Sequence, residues 1–361
     1  MSKTKKKHPV LRFLRGLLIF LVLAVLITYL ATVLTVRGQF KRGNYPDRRL
    51  TATYLYDDYA EQYDRDMVTF YSGENRLIGY VYGAENNDKG LIVWVHGIGS
   101  GHELYMTEIL WFVDRGWQVL AYDATGSGYS EGTGSRGLAQ SVIDLDAALS
   151  FVEQEPRFAG KQVMLFGHSW GGYAAASVLQ LSHKVDAAVS VSGYNNPFEM
   201  LQDGAVDVIG SVPAMLDKPF MWVYNKYLFG DYAEMTAVNG INRSGVPVLV
   251  IHGEKDEVIG YDTISIIRHR TEITNPKAEF LTISGEYAGH SDIFSTDDVN
   301  AYLKDANARW KEVVDRYNGD TIPEDVREAF IETLDEDKCN AANPALMEPA
   351  EEFFEKYLKA E

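Results

Sequence analysis

The chain has 361 residues, 46% of them hydrophobic, with 51 acidic and 34 basic side chains and a net charge of −17. That length and apolar content suit a single large core. The acidity argues against nucleic acid as a partner, and the one cysteine, Cys339, excludes an intrachain disulfide.

The charge is unevenly divided. Residues 1–49 hold eleven Lys/Arg and one acid, a net of +10, so the remainder carries −27. Lys3, Lys5, Lys6, Lys7, Arg12 and Arg15 precede an uncharged apolar run from Leu17 to Val36. Twenty residues at about 1.5 Å of helix each match a hydrocarbon core of about 30 Å. A cleaved signal peptide has a shorter apolar stretch and a small-x-small cleavage site, which Ala31-Thr32-Val33 does not supply. The run reads as an uncleaved, single-pass signal anchor in the cell membrane. Basic residues follow it as well (Arg37, Lys41, Arg42, Arg48 and Arg49), so the positive-inside bias is small. The short tail most simply stays in the cytoplasm, with the large domain outside. The basic start also suits an anionic membrane surface. The resulting division is a basic tail over 1–16, an anchor over 17–36, a stalk over 37–65 that docks on the domain through its tyrosines, and a domain over 66–361.

Within the domain, Asp66–Tyr71 and Arg76–Tyr82 flank Ser72-Gly73-Glu74-Asn75 and predict a β-hairpin. Strands and helices then alternate. Leu91–Val95 is wholly apolar, as a strand covered on both faces must be. Leu104–Arg115 has helical spacing and ends at Gly116, and Gln118–Tyr122 is the next strand. A helix over Ser141–Glu153, a strand over Val163–Phe166, an alanine-rich helix over Tyr173–Leu181 and a strand over Ala187–Val191 follow. Val246–Ile251 comes next, then a helix near Thr263–Arg270 and a last strand, Glu279–Ile283. Such alternation implies a mostly parallel sheet with helices on both faces. Residues 194–243 are too long for one crossover and too apolar for a loop, so they predict a helical cap. Residues 297–361 predict three helices, Asp298–Tyr317, Glu324–Leu334 and Pro349–Leu358.

Gly167-His168-Ser169-Trp170-Gly171 lies between a predicted strand and a predicted helix. In that setting Gly-x-Ser-x-Gly is a nucleophile elbow: the glycines permit a sharp turn that lifts the serine clear of the sheet. A serine hydroxyl needs a base, and the base needs an orienting acid. The chain supplies an acid-bearing loop after the strand at 246–251, within His252-Gly253-Glu254-Lys255-Asp256, and a histidine after the last strand, in Gly289-His290-Ser291.

Taken with His96-Gly97-Ile98-Gly99 and Asp123-Ala124-Thr125-Gly126-Ser127-Gly128, these segments make the chain resemble an α/β-hydrolase over about residues 66–295. Its pattern is similar to the monoglyceride lipase, lysophospholipase and serine aminopeptidase-like branch. The resemblance implies Ser169 as nucleophile, His290 as general base and Asp256 as orienting acid. It places the oxyanion donors on the backbone N–H groups of Ile98 and Trp170. Glu254, Glu257 and Asp262 are rivals to Asp256. His96, His168, His252 and Asp123 read as structural, His102 as a residue of the site's rim, and Trp170 as lining the site or packing below it.

No phosphate loop or zinc motif is present; no cofactor and no metal are implied. The reading is a membrane-anchored serine hydrolase acting on a small-molecule or lipid ester, with monoacylglycerol or lysophospholipid favoured. The alternatives are a peptidase or acyltransferase on the same triad, or a non-catalytic binding protein. A peptidase needs an acid to hold the substrate amine, and Glu199, Asp203, Asp207 and Asp217 of the cap are available.

Overall fold

The computed structural model describes residues 9–85, 87–318 and 321–359. The lysines at 3, 5, 6 and 7 lie outside them. The first helix, α1 (Pro9–Gln39), includes the apolar run and extends beyond both of its ends. A short helix, α2 (Tyr56–Tyr59), precedes the hairpin β1 (Arg65–Ser72) and β2 (Asn75–Tyr82). Then come β3 (Leu91–Val95), α3 (Met106–Val113), β4 (Gln118–Tyr122), α4 (Gln140–Gln154), β5 (Val163–His168), α5 (Trp170–Ser177) and β6 (Ala187–Val191). The cap helices α6 (Pro197–Ile209) and α7 (Ser211–Phe229) follow, then α8 (Ala237–Ser244), β7 (Val248–Gly253) and β8 (Ala278–Ile283). The chain ends in α9 (Asp297–Arg316), α10 (Glu324–Ile331), α11 (Glu336–Cys339) and α12 (Pro344–Tyr357).

The eight strands form one sheet in the order β1-β2-β4-β3-β5-β6-β7-β8. Only the pairings of β2 with β1 and β4 are antiparallel; all others are parallel. The alternation of side chains along a strand divides the core in two. Leu91, Val93 and Val95 of β3 face the cluster made by α4, α5 and α8. Ile92 and Trp94 face the opposite cluster, with Phe112 of α3 and Phe354 of α12. Strand order reverses at β3, whose neighbours are β4 and β5. At such a switch point the loops after two adjacent strands diverge and leave a crevice at their carboxyl ends.

Several boundaries differ from the sequence reading, and four of the differences have a clear local reason. α5 begins at Trp170, three residues early, because Gly171 and Gly172 are demanded by packing and do not break the helix; a Cβ on Gly171 would lie 2.0 Å from the Val95 carbonyl oxygen. The helix expected near Thr263–Arg270 is a turn with a single 3-10 stretch, Ile267–His269. Its backbone is engaged elsewhere: Ile266 N–H donates to Gly193 O, and Ile264 O accepts from Asn195 N–H. The cap is narrower than 194–243, since α8 leaves it and packs on α5, with Gly240 close against the Ala176 carbonyl. The last helix starts at Pro344, not Pro349, capped by the Asn343 side chain on Ala345 N–H. Pro at the first helical position forfeits no bond.

Between α1 and β1 the chain has no free length. Gly43 pairs with Ser127. The Arg42 guanidinium donates to the carbonyls of Gly128, Ser130 and Gly132. Tyr56, Tyr59 and Tyr63 pack on the α3 side of the core. α12 buries Leu346, Met347, Ala350, Phe353 and Phe354 there, making it one of the layers that close the sheet.

Candidate active site

Ser169 directly follows β5 and caps α5 with φ 56° and ψ −114°. A non-glycine residue adopts that backbone only when its surroundings hold it there. They do: Ser169 N–H donates to Val191 O, and Ser169 O accepts from Tyr173 N–H. On the inner side of the elbow, a Cβ on Gly167 would meet the Gly171 carbonyl at 2.1 Å.

Ser169 Oγ lies 2.9 Å from His290 Nε2, and His290 Nδ1 lies 2.8 Å and 3.0 Å from the two oxygens of Asp256. The three residues are 7%, 8% and 6% exposed. A carboxylate only accepts, so His290 Nδ1 carries the proton and Nε2 is left to accept from the serine. Asp256 also accepts from the N–H groups of Val258 and Ile259, and His252 Nε2 lies 3.1 Å from it. Burial works to raise the Asp256 carboxyl, but the bonds from His252 and His290 outweigh it and hold the group below the usual carboxylate range. The three rivals do not orient the base. Glu254 is turned to Ser284 and Gly285, and Asp262 is exposed. Glu257 touches His290 only at its backbone N–H.

The loop after β3 brings Gly97 against the nucleophile: a Cβ there would lie 3.6 Å from Ser169 Cβ. Ile98 follows it, and Trp170 N–H is the first of α5. These are the two backbone donors that the resemblance assigned. The Trp170 side chain packs below the site, donating from Nε1 to Leu138 O at 2.6 Å.

His96 and His168 hold loops. His96 Nε2 accepts from Ala124 N–H. His168 Nε2 donates to the His290 carbonyl at 3.1 Å, and its Nδ1 accepts from Tyr105 OH at 2.8 Å. Burial pushes His168 down to about 3, as this neutral bonding requires. The Tyr105 hydroxyl in turn accepts from Gly97 N–H. Tyr105 thus ties the loop before Ile98 to the backbone of the base. Sequence reasoning missed it, because nothing local marks a tyrosine whose partners lie 8 and 63 positions away.

His102 is not at the rim. It is fully buried, its Nδ1 2.8 Å from Asp123 Oδ1 and its Nε2 2.9 Å from Tyr82 OH. Tyr45, from the segment after α1, donates to the same Asp123 oxygen at 2.6 Å. Beside it, Arg65 pairs with buried Glu103 at 2.7 Å and lies between the rings of Tyr56 and Tyr80.

A cavity of about 770 Å³ opens beside the site, with Ile98 and Leu138 in its lining. Its cap wall includes Met200 and Leu201 of α6 and Leu216, Phe220 and Met221 of α7. Of the four acids considered for holding an amine, only Asp217 lines it, and its Oδ1 accepts from Thr32 Oγ1 at 2.5 Å.

Residues 86–209 match the family model described as "Serine aminopeptidase, S33". The chain is 31% identical over 108 residues to polyketide transferase af380 of Aspergillus fumigatus, a match covering 29% of this chain and 37% of the transferase. It is 23% identical over 230 residues to the uncharacterised protein YfhR of Escherichia coli O157:H7, covering 62% of this chain and 74% of that one. Among solved structures, an esterase of Pyrococcus furiosus superposes with a TM-score of 0.52 at 20% identity, covering 77% of this chain and 98% of the esterase. The chain has the α/β-hydrolase fold.

Proposed function

We propose that the protein is a membrane-anchored carboxylic ester hydrolase that works through an acyl-enzyme on Ser169. The observation that carries this reading is the unbroken line from Ser169 Oγ through His290 to Asp256. His290 Nε2 takes the serine proton as Oγ attacks the ester carbonyl. The backbone donors at Ile98 and Trp170 stabilise the oxyanion, each worth about 3 kcal/mol in the transition state. Protonated His290 then delivers its proton to the leaving alcohol. Water, activated by the same nitrogen, releases the acid and restores the serine.

A lipid ester, such as a monoacylglycerol or lysophospholipid, suits the apolar cavity beside Ile98 and the helix α1, which is long and apolar enough to cross a membrane. In this reading the basic tail lies in the cytoplasm and the domain outside. A peptidase reading rests on Asp217, the one charged residue among the described residues of the cavity lining, but that carboxylate is already bonded to Thr32. A panel of acyl esters of increasing chain length, run beside aminoacyl amides with Ser169→Ala as the blank, tests the choice. Ester turnover that rises with chain length is the expected result. Turnover confined to aminoacyl amides would replace this reading with the peptidase one.

A further inference from the structure

The apolar cavity is not built by the cap alone. Thr28, Ala31, Thr32, Thr35 and Val36 of α1 form its other wall. Their spacing places them on one face of the helix. It is a face of small side chains in an otherwise leucine-rich run, and small faces let helices approach closely within a bilayer. Thr28 Oγ1 donates back to Ala24 O, which satisfies that hydroxyl within the helix. Tyr29 meets Tyr224 of α7 edge-on, and Thr32 holds Asp217, so the anchor and the cap are joined beside the cavity.

The depth of this contact matters. Residues 28–36 occupy about the last 12 Å of the apolar run, which is most of one leaflet's share of a hydrocarbon core of about 30 Å. The cap helices packed against them lie at that level too. Off the cavity, Val206, Val212 and Met215 are between 41% and 64% exposed, and Val208, Ile209 and Leu216, exposed as well, open onto it. Exposed apolar side chains gathered in this way mark an interaction surface, and here they lie on helices packed against α1, which is long and apolar enough to cross a membrane.

We propose that the cap is immersed in the leaflet and that the cavity between α1 and the cap receives the acyl chain of a membrane lipid directly from the bilayer. The chain lies along the Thr28–Val36 face and points its carbonyl past Ile98 toward Ser169. The anchor is then a wall of the substrate site as well as a tether. The volume of about 770 Å³ falls within the ordinary range of small-molecule sites, about 300–1,000 Å³. The identity of the acyl group as the reacting part rests on the ester-hydrolase reading above; the occupancy of the cavity does not.

The test uses the full chain in bilayer nanodiscs with a lysophospholipid carrying a diazirine in mid-chain. Photocrosslinks are expected on the 28–36 face of α1 and on Met200, Leu216 and Phe220. Gly204→Trp should remove most of them: Gly204 lines the cavity, and a Cβ there meets nothing within 4 Å. Ala31→Phe fills the cavity from the anchor side and serves if Gly204→Trp does not fold. Crosslinks unchanged in these variants, or found only on the outward side of α1, overturn the proposal. In parallel, the ratio of long- to short-chain ester kcat/KM should fall about tenfold in either variant, and an unchanged ratio also counts against it. Failure of folded wild type to react with a fluorophosphonate would sink the hydrolase reading alone, since the crosslink map is read without catalysis.

Discussion

Two buried histidine–aspartate pairs lie near the carboxyl ends of the central strands, and they have different jobs. In both, Nδ1 faces a carboxylate at 2.8 Å. The difference lies at the other nitrogen. His102 Nε2 is occupied by Tyr82 OH, and its carboxylate is shared with Tyr45 and the N–H of Tyr129. His290 Nε2 meets only the hydroxyl of a serine held in a strained turn. A fully satisfied pair binds elements together; a pair with one acceptor left for a nucleophile is a base. The first pair fastens the segment after α1 to the domain, and the second is, in the function proposed above, the reacting end of the site.

Substitutions separate the roles of the two pairs. Ser169→Ala should lower ester turnover by about 10⁴-fold or more with no loss of folding, read by initial rates beside thermal unfolding. Asp256→Asn should cost about 10³–10⁴ in kcat, because an amide no longer fixes the proton of His290 on Nδ1. Asp123→Ala should do the reverse: a stability loss of about 3 kcal/mol from an unpaired buried network, with the turnover of the folded fraction falling far less. Equal effects of the two aspartate variants on kcat would erase the distinction drawn here.

Acidity acts on the same scaffold. His168 is held neutral down to about 3 when folded, against 6.5 when exposed. The unfolded chain therefore binds a proton first, and stability falls as pH drops from about 6.5 toward 3. Urea unfolding at pH 7 and pH 5 should differ by about 2 kcal/mol from this group, and His168→Gln should narrow the gap. Asp256, whose carboxyl is depressed, adds a further loss only below its unfolded range near 3.8. The smallest effect is Tyr45→Phe, which removes one bond to the Asp123 carboxylate and should cost about 1.5 kcal/mol.

What could be read in advance follows a physical line. β3 and β4 were legible to the residue, because a strand covered on both faces is nearly all apolar: β3 is so throughout, and β4 is so after Gln118. That Ser169, His290 and Asp256 come together was foreshadowed by their positions, each after a strand end in the order a serine nucleophile, acid and base would take. Features set by distant partners were not. His102 looked like a rim residue because its loop neighbours the site, yet Tyr82 and Asp123 bury it from another strand pair. The segment 263–270 has helical composition, but its backbone bonds to Gly193 and Asn195 instead. The small-residue face of α1 was visible as Thr28, Ala31, Thr32 and Thr35 inside a leucine-rich run; only the folded cap shows what it packs against.

Activation of Ser169 by His290 is read out by mass-spectrometric mapping of a fluorophosphonate adduct on the folded, full-length protein. One adduct is expected, on Ser169, absent from Ser169→Ala and formed much more slowly in Asp256→Asn. An adduct that persists in Ser169→Ala, or a folded wild type that forms none, would contradict it.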